Sequence, residues 1–465
     1  MKRLKTELNA LVNRGVDRHL RLAVTGLSRS GKTAFITALV NQLLNIHTGA
    51  RLPLLSAARE ERLLGVKRVP QRDFGIPRFT YDEGLAQLYG QPPMWPTPTR
   101  GVSEIRLALR YRSNDSLLRH FKDTSTLYLE IVDYPGEWLL DLPMLAQDYL
   151  SWSRQMTGLL QGQRAEWSAR WRQLCAGLDP LAPADEARLA DIAAAWTDYL
   201  HACKREGLHF IQPGRFVLPG EMAGAPALQL FPWPDVDAVG EAKLAQADKH
   251  SNAGMLRERY KYYCERVVKG FYKEHFLRFD RQIVLVDCLQ PLNSGPQAFN
   301  DMRLALTQLM QSFHYGQRTL FRRLFSPVID KLLFAATKAD HVTIDQHSNM
   351  VSLLQQLIQD AWQNAAFEGI SMDCLGLASI QATQSGLIEV NGEKIPALRG
   401  NRLSDGQPLT IYPGEVPARL PGQAFWQQQG FQFENFRPQV MDVDRPLPHI
   451  RLDAALEFLI GDKLR

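Results

Sequence analysis

The chain has 465 residues, a formal net charge of +5 at neutral pH, and 45% hydrophobic and 22% charged residues. This composition is typical of a globular protein of two or three domains, and the small basic excess argues against a nucleic-acid-binding protein. Five scattered cysteines form no C-x-x-C pair, and no apolar run approaches the ~18 residues of a membrane span, so we expect reduced thiols and a cytoplasmic location.

The first 21 residues are basic and lack the apolar centre of a signal peptide. Leu4, Leu8 and Leu11 share one side of a predicted helix, which would either pack on the protein or lie on a membrane surface. An apolar run at 20–25 then predicts the first strand of a buried sheet.

A phosphate-binding pattern, G-x-x-x-x-G-K-[ST], follows this strand as GLSRSGKT and precedes a helix predicted at 32–47. Its backbone N–H groups and the helix N-terminus suit a phosphate. Lys32 is expected to contact the β- and γ-phosphates as a catalytic residue, and Thr33 to bind Mg²⁺. The predicted nucleotide-binding residues of this loop are Gly26, Ser28, Arg29, Ser30, Gly31, Lys32, Thr33 and Ala34.

Arg29 lies inside the same loop, where a cationic side chain could stabilise transition-state charge during phosphoryl transfer. We therefore include it among the catalytic candidates. A solvent-facing arginine is the alternative interpretation.

The alternating run VSEIRLALRYR at 102–112 predicts an antiparallel edge strand. The threonine of a nucleotide-dependent switch loop should precede such a strand, and WPTPTRG offers Thr97 and Thr99. Thr99 has the more usual spacing and is the predicted metal ligand and catalytic residue. Prolines on both sides of Thr97 could equally make a stiff turn.

A strand predicted at 126–132 is followed directly by the sequence Asp-Tyr-Pro-Gly, which begins at Asp133. Asp133 is expected to hold Mg²⁺ through water, and the N–H of Gly136 to meet a γ-phosphate. Glu137 is a further catalytic candidate, at the position after Gly136 where small GTPases commonly carry glutamine. It could orient water, or it could simply cap the next turn. Asp287, at the end of a strand predicted at 282–287, is the competing acid for an ATPase-like site.

The sequence Thr-Lys-Ala-Asp begins at Thr337, the last residue of a strand predicted at 331–337. Asp340 could accept two hydrogen bonds from guanine, which adenine cannot offer, while the stem of Lys338 lies across the base. Ser379 and Ile380, in a strand predicted at 375–382, would present a backbone N–H to the base oxygen. Two histidines near this motif, His341 and His347, are expected to be surface groups.

Helices predicted at 296–314 and 347–366 alternate with these strands, which indicates a mostly parallel, doubly wound α/β sheet. Two stretches interrupt the alternation: a helical insertion at 144–279 and a β-rich insertion at 384–446. The predicted segments are residues 1–143, 144–279, 280–383, 384–446 and the C-terminal helix at 447–465.

The motif order resembles that of the translation-factor-related GTPases over 20–48, 100–137, 282–340 and 372–384 and the last helix. With GLSRSGKT, DYPGEW, TKAD and the insertions, the chain is similar to the YcjX family of bacterial stress-associated P-loop proteins. The resemblance implies a P-loop NTPase of GTPase type that uses GTP or GDP and Mg²⁺. It also implies a stress-related role, a membrane-associated protein partner and a peripheral location at the inner membrane.

We thus expect a guanine-nucleotide switch with slow GTP hydrolysis. The alternatives are a nucleotide-dependent scaffold with little turnover and an ATP-dependent P-loop enzyme that uses Asp287.

Overall fold

The computed structural model describes residues 17–114, 123–314, 329–367, 369–427 and 431–465. They divide into two compact units. The described parts of Met1–Tyr134, Phe279–Gly295 and Val328–Arg465 form the core unit, and those of Pro135–Arg278 and Pro296–Pro327 form the helical unit. The N-terminal helix predicted from Leu4, Leu8 and Leu11 lies outside the described residues, and residues 18–21 belong to a strand instead.

A seven-stranded sheet in the order β2-β3-β4-β1-β5-β6-β7 forms the centre of the core unit. Its strands are β1 (Arg18–Gly26), β2 (Leu63–Arg68), β3 (Ser103–Arg112), β4 (Thr124–Asp133), β5 (Arg281–Val286), β6 (Lys331–Ala336) and β7 (Ser371–Gly376). β1 runs parallel to β4 and β5, and β5, β6 and β7 are mutually parallel, whereas β3 is antiparallel to β4 and β2. The expected α/β fold with a mostly parallel central sheet is therefore confirmed.

Strands β5 and β6 contain apolar runs because both of their faces are covered. Every residue of β5 is buried, and β6 is buried after its first residue. Helices Lys32–Leu44 and Leu452–Ile460 contribute buried leucines and isoleucines to one apolar cluster with the sheet. The α-helices of the core unit are Lys32–Leu44, Ser56–Arg59, Tyr81–Leu88, Leu289–Ser294, His347–Leu357, Gln359–Phe367, Gln423–Gln427 and Leu452–Ile460.

The β-rich insertion contains a three-stranded antiparallel sheet in the order β10-β9-β8. Its strands are β8 (Gln384–Val390), β9 (Glu393–Asn401) and β10 (Pro408–Ile411).

The helical unit is held together by buried aromatic rings and one buried ion pair. Trp152, Trp171 and Trp196 are buried in it. The guanidinium of Arg164 lies 2.5 Å from the carboxylate of Asp301 and so ties helix Pro296–His314 into this unit. The unit thus starts before the predicted residue 144 and includes a helix that the sequence placed in the core.

The α-helices of this unit are Gly136–Leu139, Tyr149–Gly158, Gln163–Trp167, Ala169–Cys175, Glu186–Arg205, Gly214–Val217, Val236–Val239, Glu241–Ala245, Asn252–Tyr262, Lys269–Glu274 and Pro296–His314, with a π-helical turn at Tyr263–Val268.

Three element predictions need correction. The strand at 102–112 is antiparallel as expected but is not an edge strand, because the short strand β2 pairs along its outer side. The last core strand lies at Ser371–Gly376 rather than at 375–382. The residues after it are mostly apolar without extending the strand, and Ala378 forms an isolated bridge to Ile450. The helix predicted at 347–366 is broken at Ile358 into two.

None of the helices formed by the described residues combines the length and the hydropathy that a membrane span requires. All five cysteines are buried free thiols.

The C-terminal helix is attached to the sheet through Arg281, whose side chain is 0% exposed. Its guanidinium donates to Asp462 Oδ2 at 2.6 Å, to Asp330 Oδ1 at 2.9 Å and to the carbonyl oxygen of Leu459 at 2.6 Å. Burial opposes ionisation of Asp462, but these hydrogen bonds hold the pKa of its carboxyl below the usual range.

We expect Arg281→Met to lower the free energy of unfolding by about 2 kcal/mol, because it takes the guanidinium donor from a buried carbonyl and two carboxylates. The loss stays below the largest values for buried pairs because both carboxylates are partly exposed. Calorimetric melting of the full chain measures the effect. Arg445→Met, which removes an exposed arginine, is the matched control. Equal melting temperatures for the two variants would contradict the structural role of Arg281.

Candidate functional site

The predicted functional segments follow the carboxyl ends of neighbouring strands of the core sheet. The register pairs Val24 with Asp133, Gly26 with Leu285 and Val286 with Ala336, so β1, β4, β5 and β6 end at one edge. Strands β2 to β4 lie on one side of β1 and strands β5 to β7 on the other, so the order of the strands in the sheet switches direction at β1. Such a switch point, outside the carboxyl ends of parallel strands, is where α/β sheets bind ligands.

The loop of residues 26–33 has the backbone that an anion-binding turn needs. A Cβ on Gly26 would collide with the carbonyl oxygen of Leu285, so only glycine fits between β1 and β5. Gly31 has φ 84°, and Arg29 also adopts a left-handed conformation with φ 64°. Helix Lys32–Leu44 begins directly afterwards, and the first N–H groups of an α-helix have no acceptor within it. Successive N–H groups in this arrangement suit phosphate oxygens.

The side chains of this loop differ in accessibility. Ser30 and Thr33 are buried, whereas Arg29 is exposed. The carbonyl oxygen of Thr33 accepts a hydrogen bond from Thr37 Oγ1 at 2.8 Å, which fixes the first helical turn. The partly exposed residues of the loop are Ser28, Lys32 and Ala34.

Thr99 and Asp133 meet in the structure. The hydroxyl of Thr99 donates to Oδ2 of Asp133, whose side chain is buried at the end of β4. Thr97 is held elsewhere: its N–H and its hydroxyl both hydrogen-bond the side-chain amide of Gln87 at 2.8 Å. The geometry thus separates the two candidate threonines. A carboxylate and a hydroxyl oxygen are hard donors that fit Mg²⁺.

Gly136 and Glu137 belong to the helical unit. Gly136 begins helix Gly136–Leu139, and Oε1 of Glu137 lies 2.8 Å from Nζ of Lys204 with the Glu137 side chain only 5% exposed. A Cβ on Gly214 would collide with the carbonyl oxygen of Glu137, so the two backbones are in close contact. The role of Glu137 beside a γ-phosphate stays a prediction, but its carboxylate has a cationic partner that the sequence did not reveal.

Asp340, the last residue of the Thr-Lys-Ala-Asp motif, is 3% exposed. Its Oδ1 lies 2.9 Å from Nδ1 of His341, and its Oδ2 accepts from the N–H of Ala382 at 2.7 Å. Burial opposes ionisation, but His341 and the Ala382 N–H hold the pKa of this carboxyl below its usual value.

The two histidines near this motif are more enclosed than expected. His341 is buried beside Asp340 and is not the surface group that the sequence suggested. His347 is partly exposed, and its Nε2 lies 2.7 Å from the carbonyl oxygen of Ala339. Both rings thus contact the motif that we predict to recognise the base.

Lys338 adopts a left-handed backbone with φ 63°, and its Nζ lies 2.7 Å from Oδ2 of Asp287. Oδ1 of Asp287 accepts from the N–H groups of Leu289 and Gln290 at 3.0 and 3.1 Å. Both oxygens of this competing acid are thus engaged by the protein. Thr337 is buried, and its hydroxyl lies 3.4 Å from the carbonyl oxygen of Val286.

Ser379 and Ile380 lie beyond the end of β7, where Ser379 is partly exposed and Ile380 is buried. In this stretch, the groups that contact Asp340 come slightly later in the chain than Ser379 and Ile380. They are the N–H of Ala382 and the hydroxyl of Thr383, which donates to the carbonyl oxygen of Asp340.

A further set of neighbours comes from the β-rich insertion. Asn435 Oδ1 lies 3.2 Å from Nζ of Lys338, and the rings of Phe433 and Phe436 pack against His341 at centroid distances of 5.4 and 5.3 Å. Sequence reasoning missed these residues because 97 positions separate Asn435 from Lys338 and no spacing rule connects them.

Fold and site together define an α/β protein with a phosphate-loop sequence at the switch point of a mostly parallel sheet. The chain belongs to the YcjX-like family, DUF463, which matches residues 20–464. It is 91% identical over 465 residues to a protein of Escherichia coli (strain K12) named "Ras-like GTPase YcjX", covering all of both chains. A protein of the same name from Shewanella oneidensis (strain MR-1) is 46% identical over 478 aligned positions, which cover 100% of this chain and 98% of that relative.

We expect Thr99→Val to raise the Mg²⁺ concentration for half-maximal nucleotide binding about tenfold, because the variant removes the hydroxyl that contacts Asp133. Titration with Mg²⁺ at fixed nucleotide concentration measures this. Thr97→Val is the matched control and should behave like the unmodified protein. The opposite ranking of the two variants would assign the metal-linked role to Thr97.

Proposed function

We propose that the protein is a P-loop NTPase of GTPase type that binds guanine nucleotides with Mg²⁺, hydrolyses GTP slowly and acts as a nucleotide-controlled switch. The observation that carries the proposal is the contact of Thr99 with Asp133 at the edge where the phosphate loop leaves β1. Two relatives that match the whole chain bear the name Ras-like GTPase, which supports the same activity.

The phosphate side of the proposed site is formed by residues 26–34. Lys32 supplies a positive charge for the β- and γ-phosphates, and Thr33, Thr99 and Asp133 supply oxygens for Mg²⁺. The metal would neutralise charge on the phosphates. Gly136 would present its N–H to the γ-phosphate, which makes the following residues responsive to hydrolysis.

The base side is formed by Thr337, Lys338 and Asp340, with Ser379 and Ile380 as the proposed neighbours of the base oxygen. The lowered pKa of Asp340 supports an ionised acceptor. Each of its oxygens already has one protein partner, His341 or the N–H of Ala382, so the two guanine donors would use the remaining acceptor capacity of the carboxylate.

An ATP-dependent enzyme built on Asp287 has less support than a guanine-nucleotide switch. The carboxylate of Asp287 already accepts from two N–H groups at the start of a helix and pairs with Lys338. A metal ion at this carboxylate would have to displace the ammonium group of Lys338.

Slow turnover follows from the environment of Glu137. A carboxylate paired with Lys204 is a poor substitute for a water-orienting amide. The same observation favours the second candidate function, a nucleotide-dependent scaffold with little turnover. Single-turnover hydrolysis by the purified protein, with and without K⁺, distinguishes the two.

We extend the proposal to a stress-related role in the cytoplasm, with a membrane-associated protein partner and peripheral association at the inner membrane. The family resemblance is its support. Fractionation of cells before and after heat stress tests it, and an unchanged distribution would contradict it.

We expect Asp340→Asn to weaken GTP and GDP binding about 100-fold while ATP binding stays weak, because the amide cannot accept both guanine donors. Equilibrium binding with Mg²⁺ measures all three nucleotides. Asp345→Asn, at an exposed position nearby, is the control. If ATP binds as tightly as GTP, or guanine preference survives in Asp340→Asn, the guanine assignment is wrong.

We expect Arg29→Ala to lower the rate of GTP hydrolysis at least roughly tenfold with little change in GTP affinity, since a charge that acts on the transition state contributes to turnover rather than to binding. Single-turnover rates and equilibrium binding on the same preparation separate the two effects. Arg29→Lys keeps a positive charge and should retain part of the rate. Equal rates for Arg29→Ala and the unmodified protein would exclude the catalytic role.

A further inference from the structure

The ammonium group of Lys338 contacts residues from two separate parts of the chain. Besides Asp287, it contacts Oδ1 of Asn435 at 3.2 Å and lies 5.3 Å from the ring centroid of Phe433. An ammonium over an aromatic face is attracted by the ring quadrupole. These contacts fix the end of the side chain and so limit where its aliphatic stem can lie.

Asn435 and Phe433 are themselves anchored to helix Leu289–Ser294. Nδ2 of Asn435 lies 3.4 Å from Oε1 of Gln290, and the N–H of Phe433 donates to Oδ1 of Asn293 at 3.1 Å. These two contacts attach the segment of residues 433–436 to helix Leu289–Ser294 next to Lys338.

The polar contacts around Lys338 form a closed circuit. The N–H of Gln290 donates to Asp287, which pairs with Lys338. Lys338 donates to Asn435, which in turn donates to the side chain of Gln290. Because hydrogen bonds in such a network polarise and position one another, a change at Asn435 should reach Lys338 and Asp287.

The same segment reaches Asp340 through His341, against which the rings of Phe433 and Phe436 pack. The segment thus contacts Lys338 directly and Asp340 through His341. Lys338 and Asp340 are the two side chains that we propose to recognise the base.

We propose that Asn435 and Phe433 are positioning residues of the guanine site. They hold Lys338 so that its stem is presented to the base before the nucleotide arrives, which reduces the ordering that binding must supply. Because linkage is reciprocal, bound nucleotide stabilises the contacts of residues 433–436 with Lys338 and helix Leu289–Ser294. This inference rests on the proposed function.

The first test is guanine affinity in variants of Asn435. We expect Asn435→Leu to weaken GDP binding about 5- to 30-fold while ADP binding stays weak. Asn435→Asp should retain more GDP binding than Asn435→Leu, because its carboxylate still accepts from Lys338 although it loses the amide donor to Gln290. Phe433→Leu should also weaken GDP binding. Val440→Ala, at a 77% exposed position of the same insertion, is the control. Melting temperatures without nucleotide identify any variant that fails to fold. If Asn435→Leu does not fold, the comparison of Asn435→Asp, which keeps the acceptor for Lys338, with Phe433→Leu still tests the positioning role.

Hydrogen exchange gives a second readout. The amides of residues 431–437 should exchange more slowly in the presence of GDP and Mg²⁺ than in their absence. Unchanged exchange would overturn the reciprocal stabilisation.

The outcomes separate this inference from the proposed function. If the unmodified protein does not bind GDP, the proposed function fails. If it binds GDP and Asp340→Asn weakens binding, but Asn435→Leu does not, only the positioning role fails. Tighter GDP binding by Asn435→Leu would show that the segment obstructs the base, and would also overturn the positioning role.

Discussion

The close approach of Gly26 to β5 is the constraint on which the rest of the site depends. A side chain at this position would collide with the carbonyl oxygen of Leu285, and the N–H of Leu27 donates to that oxygen at 3.2 Å. The turn is therefore fixed against β5 before the helix at Lys32 begins. Since β1 also pairs with β4, the same strand places Asp133 in register with Val24. One strand thus positions the loop and the acid together.

The residues that follow Asp133 in the chain are constrained in a different way. Trp138 is buried, and the guanidinium carbon of Arg215 lies 3.3 Å from its ring centroid. Asp141 accepts from the hydroxyl of Tyr263 at 2.6 Å, while burial raises the pKa of its carboxyl to about 7. With the ion pair of Glu137, these contacts embed the segment after the Asp-Tyr-Pro-Gly motif in the helical unit. They give Glu137 a structural role that is independent of any catalytic one.

The sequence predicted the parts of the fold and site that depend on local patterns. Apolar runs located β1, β4, β5 and β6 because buried parallel strands need such runs. Glycine spacing predicted a turn at residues 26–33 before a helix, and the structure has that turn with Gly31 in a left-handed conformation. The same signal extended β7 too far, because Ala378 and Ile380 are buried without belonging to the sheet. Contacts between distant parts of the chain have no such local signal. The hydrogen bond from Thr99 to Asp133 and the partners of Lys338 depend on how separate segments fold together, which spacing does not encode.

The residues proposed to contact the base and the γ-phosphate belong to different parts of the chain. Lys338 contacts the β-rich insertion, whereas Gly136 belongs to the helical unit. The guanine base is the same in GTP and GDP, so contacts made through Lys338 cannot by themselves distinguish the two nucleotides. A ligand shifts an equilibrium only by its differential affinity for the two states. Under the proposed function, the β-rich insertion therefore responds to whether a nucleotide is bound. Gly136, the residue proposed to meet the γ-phosphate, belongs to the helical unit, so under the same proposal a response to hydrolysis would begin at this segment.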